Sequence, residues 1–159
     1  MESIIIICIF VLLIAWKIWI SSPKNIGKYG EIRVARKLDW LSKEYITLND
    51  VLLPTHYGTT QIDHIVVSPY GIFVIETKNY KGWIFGHENS EDWKQSLVGK
   101  KTFWGWSSEQ HKLKNPIRQN SVHVRAVKAI LKELGDFTII PIVVFSDSAE
   151  LKITTPNHI

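Results

Sequence analysis

Asp63, Glu76 and Lys78 lie inside two apolar runs of one stretch, QIDHIVVSPYGIFVIETKNY, from Gln61 to Tyr80. Charged groups in such surroundings need a physical reason. Two carboxylates held together on a half-buried surface repel, and burying even one without a partner is costly, so the pair asks for a proton or a cation. A hard divalent ion with oxygen ligands, such as Mg2+, fits that demand. A lysine on the same side could hold a hydroxide or stabilise negative charge developing on a phosphate. Together these groups form a phosphodiester-cleaving constellation. The blander account is a salt-bridged edge hairpin with Glu76 and Lys78 solvated.

The elements that must position them are short. Ile62 to Ser68 and Gly71 to Asn79 are rich in Val, Ile and Phe and flank Pro69-Tyr70, which predicts a β-hairpin. With Ser68 facing Gly71, the register carried down the ladder sets Asp63 opposite Glu76, roughly 5 Å apart at Cβ. A bulge at Gly71 would displace Asp63 by one position. Glu76 and Lys78 share a face in any register, because strand side chains alternate. His64 points to the other side of its strand, where a packed or hydrogen-bonded histidine is expected.

Asp63 followed by Glu76-Thr77-Lys78 resembles the D…(D/E)xK signature of the restriction-endonuclease-like nucleases. More closely, the chain resembles the nuclease-related domain, NERD, through GKYGE at 27–31, TTQIDHIVVSPYGIFVIETKNYKG at 59–82 and NPIRQN at 115–120. The resemblance implies an α/β fold, a restriction-endonuclease-like mixed sheet flanked by helices. It also implies Mg2+ or Mn2+ held by Asp63, Glu76 and the backbone carbonyl of Thr77, with Lys78 orienting the attacking water. Glu31, in the first helix, and Gln119, near the start of a later one, would assist catalysis. The implied substrate is nucleic acid, with DNA expected. For Glu31, a carboxylate favoured by the helix dipole in an opening turn is an equally good explanation.

The chain has 159 residues, enough for one domain and an appendage. Residues 1–20 form the appendage: Ser3 to Ile20 is apolar apart from Ser3 and Lys17, close to the length that spans a hydrocarbon core. It lacks the basic start and small-residue cleavage site of a signal peptide, so a transmembrane anchor is expected, a buried core helix being the alternative. Trp16 and Trp19 suit the headgroup level, and Lys24, Lys28 and Arg33 place the N-terminus outside and the domain in the cytoplasm. Cys8 is the sole cysteine, which excludes disulfides and cysteine zinc sites from the rest of the chain. The net charge is +4, and Glu2 and Lys17 cancel, so the remainder carries the same excess. Phosphate-rich partners or anionic lipids are compatible with it, as is simple solvation.

A linker is expected over 21–26, a nuclease-like domain over 27–145 and a polar tail over 146–159. Within the domain, Glu31 to Ser42 has helical periodicity, Tyr45 to Leu53 reads as a strand closed by Pro54, and His56-Tyr57-Gly58 as a loop. Trp83-Ile84-Phe85 and Trp93-Lys94-Gln95 read as short strands extending the sheet, with loop around them. Trp83 and Trp93 are expected in the core. Trp104 and Trp106, among lysines that include Lys101, could stack on bases, pack, or face a bilayer. Asn115-Pro116 starts a helix whose buried face is Ile117, Val124, Val127, Ala129, Ile130, Leu131 and Leu134. Its Arg118 and Arg125 could contact phosphates or serve solvation. Phe137 to Phe145 reads as a central strand in which Pro141 is awkward. Besides a membrane-anchored nuclease, the sequence allows an inactive membrane-tethered nucleic-acid-binding or scaffold domain, or a lipid-surface module.

Overall fold

The computed structural model describes residues 2–102 and 105–154, with side chains over 8–97, at 99 and over 107–154. It is a mixed α/β fold of two four-stranded sheets flanked by helices. Helix α1 is Glu2–Ile20, α2 Pro23–Leu38 and α3 Pro116–Leu131; the strands are β1 Ile46–Thr55, β2 Gly58–Ser68, β3 Gly71–Lys78, β4 Gly82–His87, β5 Asp92–Thr102, β6 Gly105–Lys114, β7 Ile139–Phe145 and β8 Ala149–Thr154. The first sheet runs β1-β2-β3-β7 and the second β6-β5-β4-β8. Each ends in one parallel pair, β3 with β7 and β4 with β8.

The hairpin forms as its residues predict. Ser68 faces Gly71 and Val67 faces Ile72, without a bulge, down to His64 opposite Ile75. Gly71 has φ 135°, open to glycine, and a Cβ there would stand 2.6 Å from the Thr138 carbonyl of the incoming β7. The turn is closed by Tyr70 N–H donating to Ser68 Oγ at 3.1 Å.

Several boundaries differ from expectation. Ser22 caps α2 and Pro23 occupies its first turn, so the helix takes in most of the expected linker and leaves Glu31 mid-helix rather than in an opening turn. β1 continues through Pro54, which an edge strand tolerates, and His56-Tyr57 is a tight turn into β2. β7 is an edge strand too, and this accommodates Pro141. Trp83-Ile84-Phe85 and Trp93-Lys94-Gln95 do lie on strands, β4 and β5, but these build a second sheet with β6, formed where loop was expected, instead of extending the first, and the expected tail supplies its strand β8. On α3, Asn120, His123, Ala126 and Val127 face inward, while Ile117 and Ile130 face out, and Leu134, expected on the buried face, lies exposed in the turn past the helix end.

Two apolar clusters result. Ile62, Ile65, Ile72, Val74 and Val127 fill the first, under α3, and Ile84, Trp93 and Leu113 the second. Phe145 of β7 joins the second cluster and stacks on Trp93 at 6.3 Å, linking the two sheets. Trp93 is 1 % exposed as expected. Trp83 is 46 % exposed and sits on the surface, its indole N–H donating to Glu150.

The single-span expectation for residues 1–20 finds no support. Among the described residues no single helix is long and apolar enough to cross a membrane; only Cys8–Ile20 with Pro23–Leu38, a pair bent by 66°, reaches that length and composition.

Candidate active site

The site lies where β3 ends and its chain passes from the first sheet to the second. Ser146 N–H, beyond the end of β7, donates to the Lys78 carbonyl at 3.1 Å, so Lys78 directs its main chain toward that strand. The neighbouring residue directs its own the opposite way: Thr77 N–H donates to Asp63 Oδ2 at 2.7 Å. In a strand the N–H and C=O of one residue point to the same side, so the Thr77 carbonyl is turned toward Asp63. Asp63 thus replaces the ladder just past the last His64–Ile75 pair.

Glu76 is buried at 2 % exposure. Its Oε1 accepts from Lys78 Nζ at 2.6 Å, and the same ammonium donates to Gln119 Oε1 at 3.0 Å. Burial drives the Glu76 pKa up from an ordinary 4.5 to about 7, against the pull of Lys78, and the charges of Asp63 and Glu31 push the same way. Asp63 is also raised, by burial first, with the Thr77 N–H opposing. Both acids therefore resist ionising without an added positive charge.

Two helices bring the outer groups. Gly30 lets α2 lie directly against β3, since a Cβ there would stand 2.5 Å from Asn79 Cβ. Asn79 Nδ2 donates to the Ile26 carbonyl at 2.7 Å and locks this contact. Glu31 follows, half-buried and salt-bridged to Lys28 at 3.1 Å, which also reaches Asp50 at 3.6 Å. Asp50 has φ 57°, a left-handed backbone that Asp tolerates. On the other flank, the Asn115 carboxamide oxygen caps α3 by accepting from Ile117 N–H at 2.9 Å. Asn120 Nδ2 ties that helix to the Val74 carbonyl at 3.0 Å and the Ile142 carbonyl at 2.9 Å.

An open cleft of about 810 Å3 collects Glu31, Asp63, Glu76, Thr77, Lys78 and Gln119 along its walls. A neighbouring groove of about 590 Å3 runs along α3 past Lys114, Arg118, Gln119 and Arg125. Arg118 and Arg125 are exposed there. The side chains of Lys101 and Trp106, and Trp104 altogether, lie outside the described residues. Among the described residues no group of three or more His, Cys, Asp or Glu is placed to hold a metal ion.

His64 is buried, its Nδ1 2.7 Å from Asn49 Oδ1, as expected of a packed histidine. Sequence reasoning missed three contributors: Lys28, Asp50 and His123. The His123 Nδ1 stands 3.4 Å from Glu76 Oε2. A lone histidine on a helix carries no spacing signal; only its position four residues after Gln119, on the same face, could have drawn notice.

A family model described as the nuclease-related domain, NERD, matches residues 26–146. An uncharacterised protein of Bacillus anthracis is 42% identical over 113 residues, covering 70% of this chain and 49% of its own length. The chain thus spans about half the length of the curated relative it matches. No solved structure matches the chain.

Proposed function

The chain belongs to the nuclease-related domain family, and on that premise we propose that it is a metal-dependent nuclease that hydrolyses phosphodiester bonds of nucleic acid, with DNA as its substrate. One observation carries this: Asp63, Glu76, Lys78 and Gln119 converge on a single open cleft, joined by Glu31. The two carboxylates and the Thr77 carbonyl are hard oxygen donors suited to Mg2+ or Mn2+, with water completing the shell. Glu76 Oε2 has no hydrogen-bond partner, which leaves a buried oxygen available. The reading also assigns these elements to a restriction-endonuclease-like core.

In this mechanism Asp63 and Glu76 hold the ion, which when bound supplies Lewis-acid polarisation of the phosphate. Lys78, fixed between Glu76 and Gln119, orients the attacking water and stabilises the negative charge gathering on the phosphoryl oxygens. The water oxygen bonds to phosphorus, the bond from phosphorus to the sugar oxygen breaks, and the departing oxygen takes up the proton the water gives up. Gln119 holds the ammonium in place. Arg118 and Arg125 offer exposed positive charge to the flanking phosphates. We further propose that α1 associates with a bilayer and sets the domain on its cytoplasmic face; the described part of α1 exposes Phe10, Leu12, Trp16 and Trp19.

The test is incubation of the full chain with plasmid DNA, and in parallel with RNA, in Mg2+ and in EDTA. DNA cleavage in Mg2+ alone is expected, lost on Asp63→Ala, Glu76→Ala or Lys78→Ala with circular dichroism unchanged. Cleavage that persists in EDTA, or in all three variants, would overturn the assignment.

A further inference from the structure

We propose that His123 is a positioning residue that fixes the Glu76 carboxylate through its Nδ1–H, an inference that rests on the metal-site reading of Glu76. Both side chains are 3% exposed and their Nδ1 and Oε2 atoms are 3.4 Å apart. Neither atom has a hydrogen-bond partner. A buried donor and a buried acceptor left open at that separation are costly, and each is the other's nearest remedy. Lys78 holds only Oε1. With one oxygen fixed, the carboxylate can still swing about its last torsion, whereas a donor at each oxygen sets its plane. Each oxygen keeps a second lone pair for a cation.

The helix is built to hold the ring still. Asn120, three residues earlier on α3, is clamped to β3 and β7 by two bonds at 3.0 and 2.9 Å. Gln119, one residue before that, grips Lys78. A single face of α3 thus reaches Lys78, the sheet and Glu76 in turn, and it orients the carboxylate as outer-sphere partners of metal ligands do.

The experiment is calorimetric titration of Mn2+ into the EDTA-stripped full chain at one fixed pH, for wild type, His123→Asn, His123→Gln and His123→Phe. Asparagine can return an N–H close to the Nδ1 position, glutamine sets it one bond further out, and phenylalanine keeps the volume without a donor. Affinity should fall about 10- to 100-fold in H123F and H123Q and stay within about threefold in H123N. H123Q keeps the comparison open should H123F fail to fold. Mn2+ affinity equal to wild type in H123F or H123Q, or equally weak in all three variants, would overturn the role. Absence of Mn2+ uptake by the wild type would overturn the metal-site reading and this inference with it, whereas uptake indifferent to His123 removes this inference alone.

Discussion

Glu76 is the residue on which the electrostatics turn. Its folded pKa of about 7 lies above the ordinary 4.5, so between those values the folded protein binds the extra proton. Stability from this group is therefore present below about pH 4.5 and is lost as pH rises toward 7, by ~3 kcal/mol at the plateau. Glu76→Gln should remove that loss: in EDTA the Tm difference, variant minus wild type, should grow from pH 5 to pH 7.5. A difference independent of pH would show that Glu76 titrates normally. His64 and His123 have pKa values lowered by burial and tilt stability the other way, but they are common to both proteins. That Asp63, Glu76 and Lys78 would lie together was legible in the sequence, because charges inside apolar runs leave a local mark, whereas Gln119, which lines the same cleft, was expected there only through the family resemblance. His123 was not, since its meaning comes from a contact between residues 47 positions apart in the chain.

At the scale of elements, the approach of α2 to β3 decides where Glu31 stands. Gly27 and Gly30 lie one turn apart on that helix yet face opposite constraints. Gly27 has nothing within 4 Å of an added Cβ, whereas Gly30 meets Asn79 at 2.5 Å. Gly27→Ala should stabilise by up to ~1 kcal/mol through helix propensity. Gly30→Ala should destabilise by ~1–3 kcal/mol by forcing helix and strand apart. Urea denaturation of both variants checks the contrast, and equal effects would mean that the close contact is not maintained. The hairpin register was legible because its turn residues fix it. The helix start was misplaced because periodicity begins at Glu31 while the cap lies at Ser22.

Over the whole molecule, two parallel pairs, β3 with β7 and β4 with β8, carry the chain from one sheet to the other and leave the cleft lined by Asp63, Glu76 and Lys78 at the junction. Ending the chain at Asp147 removes β8, and with it Ala149 and Ile153 from their packing on the Ile84–Trp93–Leu113 cluster. That truncation should cost ~2–4 kcal/mol and open residues 82–114 to protease, read by limited proteolysis. A cleavage pattern unchanged from wild type would contradict the second sheet's dependence on β8. This partition into two sheets was hidden from the sequence, because which strands pair across more than 60 residues is a tertiary choice that no local pattern records. Phe137 to Phe145 shows this: its continuous apolar run suggested a central strand, yet it lies at an edge and is covered on one face by α3 and near its end by Trp93.

The central claim is that Asp63 and Glu76 hold one ion between them. Anomalous diffraction from crystals of the full chain soaked in Mn2+ tests it directly. The account predicts one peak within about 2.3 Å of a carboxylate oxygen from each residue, with the Thr77 carbonyl alongside. No peak there, or an ion bound by only one of the two acids, would contradict it.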